Sequence, residues 1–244
     1  MNSLNSLNSL NSLNETLSLI RSHRSVRSYK GDPLPADHIQ RAVEAGQATT
    51  TSSAIQAYCL LHVTRPDERR ALSELCGSQE HIAACGAFFI VCGDTRKHRL
   101  LARRAGEQYD ARLEAFLLAV IDATLFAQNL VLAFESMGYG ICYIGGLRNN
   151  LPAIDRLLEI PEGVYPLYGL CVGVPAEQPA ARPRIPATGI LFEDRYPDDV
   201  QILRVIDEYD ASAPGWAQRM VGKFTEPRRT DVGQYYRAKG ANFT

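Results

Sequence analysis

The chain has 244 residues, of which 45% are hydrophobic and 22% charged, and its 26 Lys and Arg against 27 Asp and Glu leave a formal net charge of -1. This composition excludes the disordered and collagen-like classes and is sufficient for one large domain, alone or with an appended arm. The near-neutral balance argues against broad nucleic-acid or membrane-surface binding and points to small molecules as partners.

The opening residues repeat Asn-Ser-Leu four times. A three-residue period matches neither a helical stripe nor strand alternation, so residues 1–13 are expected to form a mobile arm. Asn14, with Glu15 and Thr16 after it, is placed to cap a helix carrying Leu17 and Ile20. From Pro35 to about Ala48 an amphipathic pattern starts with Pro and Asp, as helix N-termini prefer. TTTSSAIQ at 49–56 is a hydroxyl-rich loop before a strand expected at Tyr58 to Val63. A helix from about Arg65 to Leu75 and a buried strand from Ala87 to Cys92 follow.

The helix that begins near Arg112 is apolar on nearly every side and requires cover all round, from the domain or from a second subunit. Its Glu114, Asp122, Gln128, Asn129 and Glu135 are too costly in hydrocarbon for a membrane span. Two further strands, Tyr139 to Ile144 and Leu167 to Val174, flank a short helix at Leu151 to Leu158. Interleaved helices and strands imply an α/β or α+β three-layer domain. Past Pro175 the chain is rich in Pro and Arg, and the tail from Ile202 reads as two helical pieces broken by ASAPG at 211–215.

The six cysteines, Cys59, Cys76, Cys85, Cys92, Cys142 and Cys171, form no CxxC pair and have no His at metal-ligand spacing. They read as reduced, mostly buried thiols, so a cytoplasmic location and no metal site are expected. No segment combines a basic start, an apolar stretch and a small-residue cleavage site, and no secretory signal is expected.

Three short stretches bear on chemistry. In HRSVR at 23–27 an extended backbone turns His23, Ser25 and Arg27 to one side, and such donors suit a phosphate monoester, although short basic runs are more often solvated faces. Arg182-Pro183-Arg184 presents two guanidinium groups on a stiffened backbone, which in isolation reads as surface decoration. Gly145-Gly146-Leu147-Arg148, between a strand and a helix, lets bare backbone N–H groups approach a ligand, but lacks the dinucleotide and Walker patterns. With no GxSxG, no HExxH and no local Cys–His pair, catalysis is expected to reside on an organic cofactor.

In order along the chain, HRSVR at 23–27, ATTTSSAIQ at 48–56, GSQEHI at 77–82, AFESMGYG at 133–140, YIGGLRNN at 143–150 and ARPRIP at 181–186 resemble the nitroreductase and flavin reductase family, in its oxygen-insensitive, NADPH-preferring branch. The resemblance runs from Glu15 to Val174 and more loosely beyond. It implies an α+β, three-layer α/β/α fold with a mainly antiparallel sheet. It further implies a homodimer with a long central helix, a C-terminal arm and FMN at the interface. Residues 14–200 would be the FMN-binding core and 201–244 a helical extension packing on the partner.

By the same resemblance His23, Arg24 and Ser25 with Arg184 hold the FMN phosphate, and Arg27 reaches the pyrimidine edge of the flavin. Ser52 and Ser53 come from the partner's loop, Thr51 also binds the cofactor, and Gln79 touches the flavin or its ribityl chain. Ile144, Gly145, Gly146 and Leu147 bring main chain to the reactive edge, while Ser53 and Arg229 contact substrate. Arg182 stands where the family usually has Lys. The implied reaction is a ping-pong, two-electron transfer of hydride from NAD(P)H through FMN to nitroaromatics, quinones or free flavin, all of which fit one open flavin face. The branch's basic loop for the NADPH 2′-phosphate has contracted here to DEYDASAPGWAQR, which narrows any preference for NADPH over NADH. A flavin-binding redox sensor or carrier is the alternative, and a phosphate- or nucleic-acid-binding module built on RSHRSVR a remoter one.

Overall fold

The computed structural model describes residues 15–244. The Asn-Ser-Leu arm expected at 1–13, and the capping Asn14, lie outside the described residues. Two compact units divide the chain: one runs to residue 179 and resumes at 231–244, and the other comprises 180–230.

The first unit is built on a four-stranded sheet of order β1-β2-β4-β3, with β1 (Tyr58–Val63), β2 (Ala87–Asp94), β3 (Gly140–Ile144) and β4 (Val164–Gly173). Every pairing is antiparallel. Successive side chains of β2 go to opposite faces, as a pleated strand requires. Phe89 and Val91 join one core with α6 (Leu113–Ser136) and α2 (Ala36–Gln47). Phe88, Ile90 and Cys92 join another with α3 (Pro66–Leu75) and α7 (Leu151–Leu158). The result is the expected α+β arrangement, with helices on both faces of an antiparallel sheet. All six cysteines are free thiols, and only Cys59 escapes full burial.

Strand β4 starts three residues before the expected Leu167, because the ladder continues past Pro166. Proline has no N–H to donate, and the register shifts opposite it, between Val91 and Cys92, which accommodates the missing bond. Residues 15–22 form helix α1. Three further helices complete this unit: α4 (His81–Ala84), α5 (Arg96–Ala105) and α10 (Val232–Ala238). The Tyr236 hydroxyl of α10 donates to the Pro166 carbonyl at 2.7 Å, and Lys239 pairs with Asp155 at 2.9 Å.

Helix α6 buries Ala119, Asp122, Ala123, Phe126, Ala127, Leu130, Val131 and Phe134 at helical spacing. Its opposite face carries Leu113, Leu117, Ile121 and Leu125, 41–50% exposed and four residues apart. Within one chain, cover on all sides is therefore realised on one face only. The helix is long and apolar enough to cross a membrane by length and composition alone, but its polar Asp122 is buried and bonded within the fold. The second unit contains α8 (Asp199–Ser212) and α9 (Trp216–Thr225), in which Tyr209 stacks edge-on with Trp216.

Candidate active site

The segment after α1 runs as a strap along the outer edge of β3. Val26 N–H donates to the Ile141 carbonyl at 2.8 Å, and Ser25 bridges Ile141. Val26 is buried against Gly140, where an added Cβ would lie 2.7 Å from the valine side chain. Only glycine permits this approach. With Val26 turned inward, alternation turns Ser25 and Arg27 away from it, as the extended reading requires.

Glu177 accepts from the backbone N–H groups of Arg27 and Ser28 at 2.6 and 3.0 Å and ties the strap down. The side chain of Arg24 donates to the carbonyls of Arg21 and His23 at 3.0 and 2.6 Å, and that of Arg27 to the Ser25 carbonyl at 3.4 Å. Among the described residues no carboxylate forms an ion pair with either guanidinium. Two uncompensated arginines beside a serine and a histidine form a donor set suited to a phosphate. The strap opens onto a cleft of about 680 Å³ lined in part by Arg24, Lys30, Glu135, Tyr139 and Glu177.

At the other end of β3, Gly145 and Gly146 open a 3-10 turn, with the side chains of Ile144 and Leu147 buried. Gln79 is packed onto this turn: an added Cβ at Gly146 would fall 2.3 Å from Gln79 Nε2 and 2.3 Å from the Cys76 carbonyl oxygen. Gln79 Nε2 itself donates to that carbonyl at 2.8 Å. Burial holds His81, two residues beyond Gln79, below the ordinary histidine value, and the positive charge of Arg27 adds to the effect. The strap and the glycine turn with Gln79 lie about 13 Å apart along β3 at the rise of an extended strand. Among the described residues no cluster of His, Cys, Asp or Glu is suited to a metal ion.

The hydroxyl-rich loop is elsewhere. The buried carboxylate of Asp122 accepts from Ser52 N–H at 3.4 Å and Ala57 N–H at 3.1 Å. Ser53, Ala54 and Gln56 adopt positive φ. Ser52 and Ser53 are exposed and Thr51 half-buried. Asp122 precedes Glu135, the partner of His23, by 13 positions on α6, which at the helical rise separates them by about 20 Å. A single chain therefore does not bring Ser52 and Ser53 to the strap. Arg182, Arg184 and Arg229 belong to the second unit. Arg182 and Arg184 are exposed on either side of Pro183, whose carbonyl accepts from the Tyr209 hydroxyl at 3.1 Å, and Arg229 adopts positive φ.

Sequence reasoning missed Glu135, Asp122 and Glu177 as site residues. The first two had a signal, since each is a carboxylate inside an otherwise apolar helix. Glu135 Oε1 contacts His23 Nδ1 at 2.6 Å while its Oε2 is buried with no partner among the described residues. Burial pushes the Glu135 carboxyl up, and the hydrogen bond and charge of His23 pull it back.

Known proteins share this fold. The nitroreductase family matches residues 20–174. An FMN reductase (NADPH) of Bacillus subtilis is 36% identical, the match covering 93% of this chain and 98% of the relative. The oxygen-insensitive NADPH nitroreductase of Salmonella typhimurium is 36% identical, with 79% of each protein covered. Among solved structures, the NfrA1 nitroreductase of B. subtilis superposes with a TM-score of 0.90 at 35% identity, covering 93% of this chain and 99% of that one. The NADPH:FMN oxidoreductase of Vibrio harveyi, solved with NAD+, has a TM-score of 0.87 at 32% identity, covering 93% and 98%. The strap, the glycine turn and the Gln79 segment all fall within the matched residues, and the chain belongs to the nitroreductase family.

Proposed function

We propose that this protein is an FMN-dependent oxidoreductase, which takes hydride from NADPH or NADH and delivers two electrons by a ping-pong scheme to nitroaromatics, quinones or free flavin. One observation carries the reading: arginines without carboxylate partners among the described residues at one end of β3, and at the other a glycine turn with Gln79 packed on it. That spacing suits a ligand with an anionic end and a long ring system. Bound FMN would supply the hydride acceptor and donor that the side chains lack. His23, Arg24 and Ser25 bind its phosphate, and Arg27 presents a cation to the ring, where it favours the anionic reduced form. Main chain at Ile144 to Leu147, with Gln79, supports the reactive edge.

The site is shared between two copies of the chain. The roughly 20 Å between Ser52 and the strap within one chain, and the exposed stripe of Leu113, Leu117, Ile121 and Leu125, support a homodimer in which the 49–56 loop completes the partner's site. Exposed Leu203, Val221 and Phe224 support an embrace of the partner by α8 and α9. The reduced thiols suit the cytoplasm.

Arg27→Ala tests the assignment. The variant is expected to keep FMN, with a lower flavin potential and reduction by NADPH slowed roughly ten- to a hundredfold. Potential and rate equal to the parent's contradict the role of Arg27.

A further inference from the structure

The contact between His23 and Glu135 constrains where protons reside. An ionised carboxylate only accepts, and a neutral imidazole carries one donor and one acceptor. The 2.6 Å separation of Nδ1 and Oε1 therefore contains a proton. If the pair holds that proton alone, His23 Nε2 is an acceptor and meets a phosphate oxygen lone pair to lone pair. A second proton makes Nε2 a donor, whether the arrangement is imidazolium with carboxylate or neutral imidazole with carboxylic acid.

We propose that the His23–Glu135 pair takes up one proton when the FMN phosphate binds, with Glu135 as the residue that positions the His23 ring and compensates its added charge. This rests on the phosphate role of the strap proposed above. The pair is built for it: the Glu135 side chain is 10% exposed and that of His23 29%, so the ring is the more accessible member, between Ser22 and Arg24, which line the cleft with Glu135. The buried Oε2, without a partner among the described residues, leaves His23 as the only hydrogen-bonding group of this carboxylate. Burial favours its protonated form.

Charges from each surrounding element act on the pair. Arg24 on the strap and Lys30 beyond it oppose a further proton, while Glu177, lining the same cleft from the segment after β4, favours it. Tyr139, from the turn after α6, donates to or accepts from His38 of α2 at 2.7 Å and is neutral. Tyr143 of β3 is held in its neutral form by burial first, then by Tyr168 and the Glu135 charge. The bound phosphate adds the negative charge that tips this balance toward protonation.

The test is calorimetric titration of the apoprotein with FMN at pH 8, in two buffers of different ionisation enthalpy. At that pH the free phosphate, with a second pKa near 6, is already dianionic, so protons taken up go to the protein. Uptake of about one proton per FMN is expected, with affinity falling about tenfold per pH unit above neutrality. Riboflavin, lacking the phosphate, should bind with no such uptake. His23→Gln keeps an amide donor but cannot titrate, and should bind FMN more weakly with uptake near zero. Glu135→Gln should shift the pH dependence of the FMN Kd downward, and Glu135→Asp should restore it in part. FMN binding by the parent without proton uptake, or undiminished uptake in His23→Gln, overturns the proton coupling and leaves the FMN reading standing. Riboflavin bound as tightly as FMN overturns the phosphate role of the strap, and the coupling with it.

Discussion

Burial holds the His81 imidazole below the ordinary histidine value, and Arg27 adds to the effect while Glu177 opposes it. Its Nε2 is buried without a hydrogen-bond partner among the described residues, so the neutral ring is the folded form. As pH falls through about 6.5, the unfolded chain protonates its histidine before the folded chain does. The stability that His81 contributes is therefore present above that value and lost below it. The urea midpoint is expected to fall between pH 7 and pH 5, and to fall less in His81→Asn. Equal acid sensitivity of the two proteins would mean that His81 does not titrate in this range. At this scale the sequence was legible where residue type announces chemistry: His23, Arg24, Ser25 and Arg27 in a run, and paired glycines at 145 and 146. Glu135 was not legible as the partner of His23, because 112 residues separate them and only the tertiary fold brings them together.

Loop 49–57 shows how one buried carboxylate on a helix organises an irregular element. Asp122 satisfies two backbone N–H groups there, while positive φ at Ser53, Ala54 and Gln56 costs conformational energy. Asp122→Ala leaves the buried Ala57 N–H without an acceptor and should cost about 2 kcal/mol, measured by urea unfolding. A loss under about 0.5 kcal/mol would show that the loop holds without it. Strand β1 and helices α2, α3 and α7 were legible because apolar periodicity and turn residues agree. Helix α5 was not, since its RKHRLLARRA sequence has no buried stripe and Leu100 and Leu101 remain about half exposed. Arg99 anchors it from the side, donating to Thr95 Oγ1 at 3.2 Å, the Tyr165 hydroxyl at 3.2 Å and the Gly240 carbonyl at 2.5 Å. Tyr165 and Gly240 lie 66 and 141 residues away, distances that no local pattern reports.

For the whole molecule, the apolar stripe of α6 is the feature that one chain does not account for. Leucine and isoleucine at four-residue spacing, each 41–50% exposed, form a surface whose burial favours association. The double substitution Ile121→Glu with Leu125→Glu is expected to convert a sedimenting dimer into monomers and to lower FMN affinity at least about tenfold. A parent that sediments as a monomer, or a variant that stays dimeric, would remove α6 from the interface. The three-layer fold was legible in the alternation of elements, whereas the proposed completion of the site by a second copy had no signal in the sequence beyond family resemblance, because distances within the chain are not written in sequence. The most direct test of the account is anaerobic titration of the FMN-loaded protein with NADPH and then NADH, followed by absorbance. The flavin band should bleach with one equivalent of donor and return on addition of a nitroaromatic or a quinone. A protein that takes up no FMN, or a bound flavin that both nucleotides leave oxidised, would contradict it.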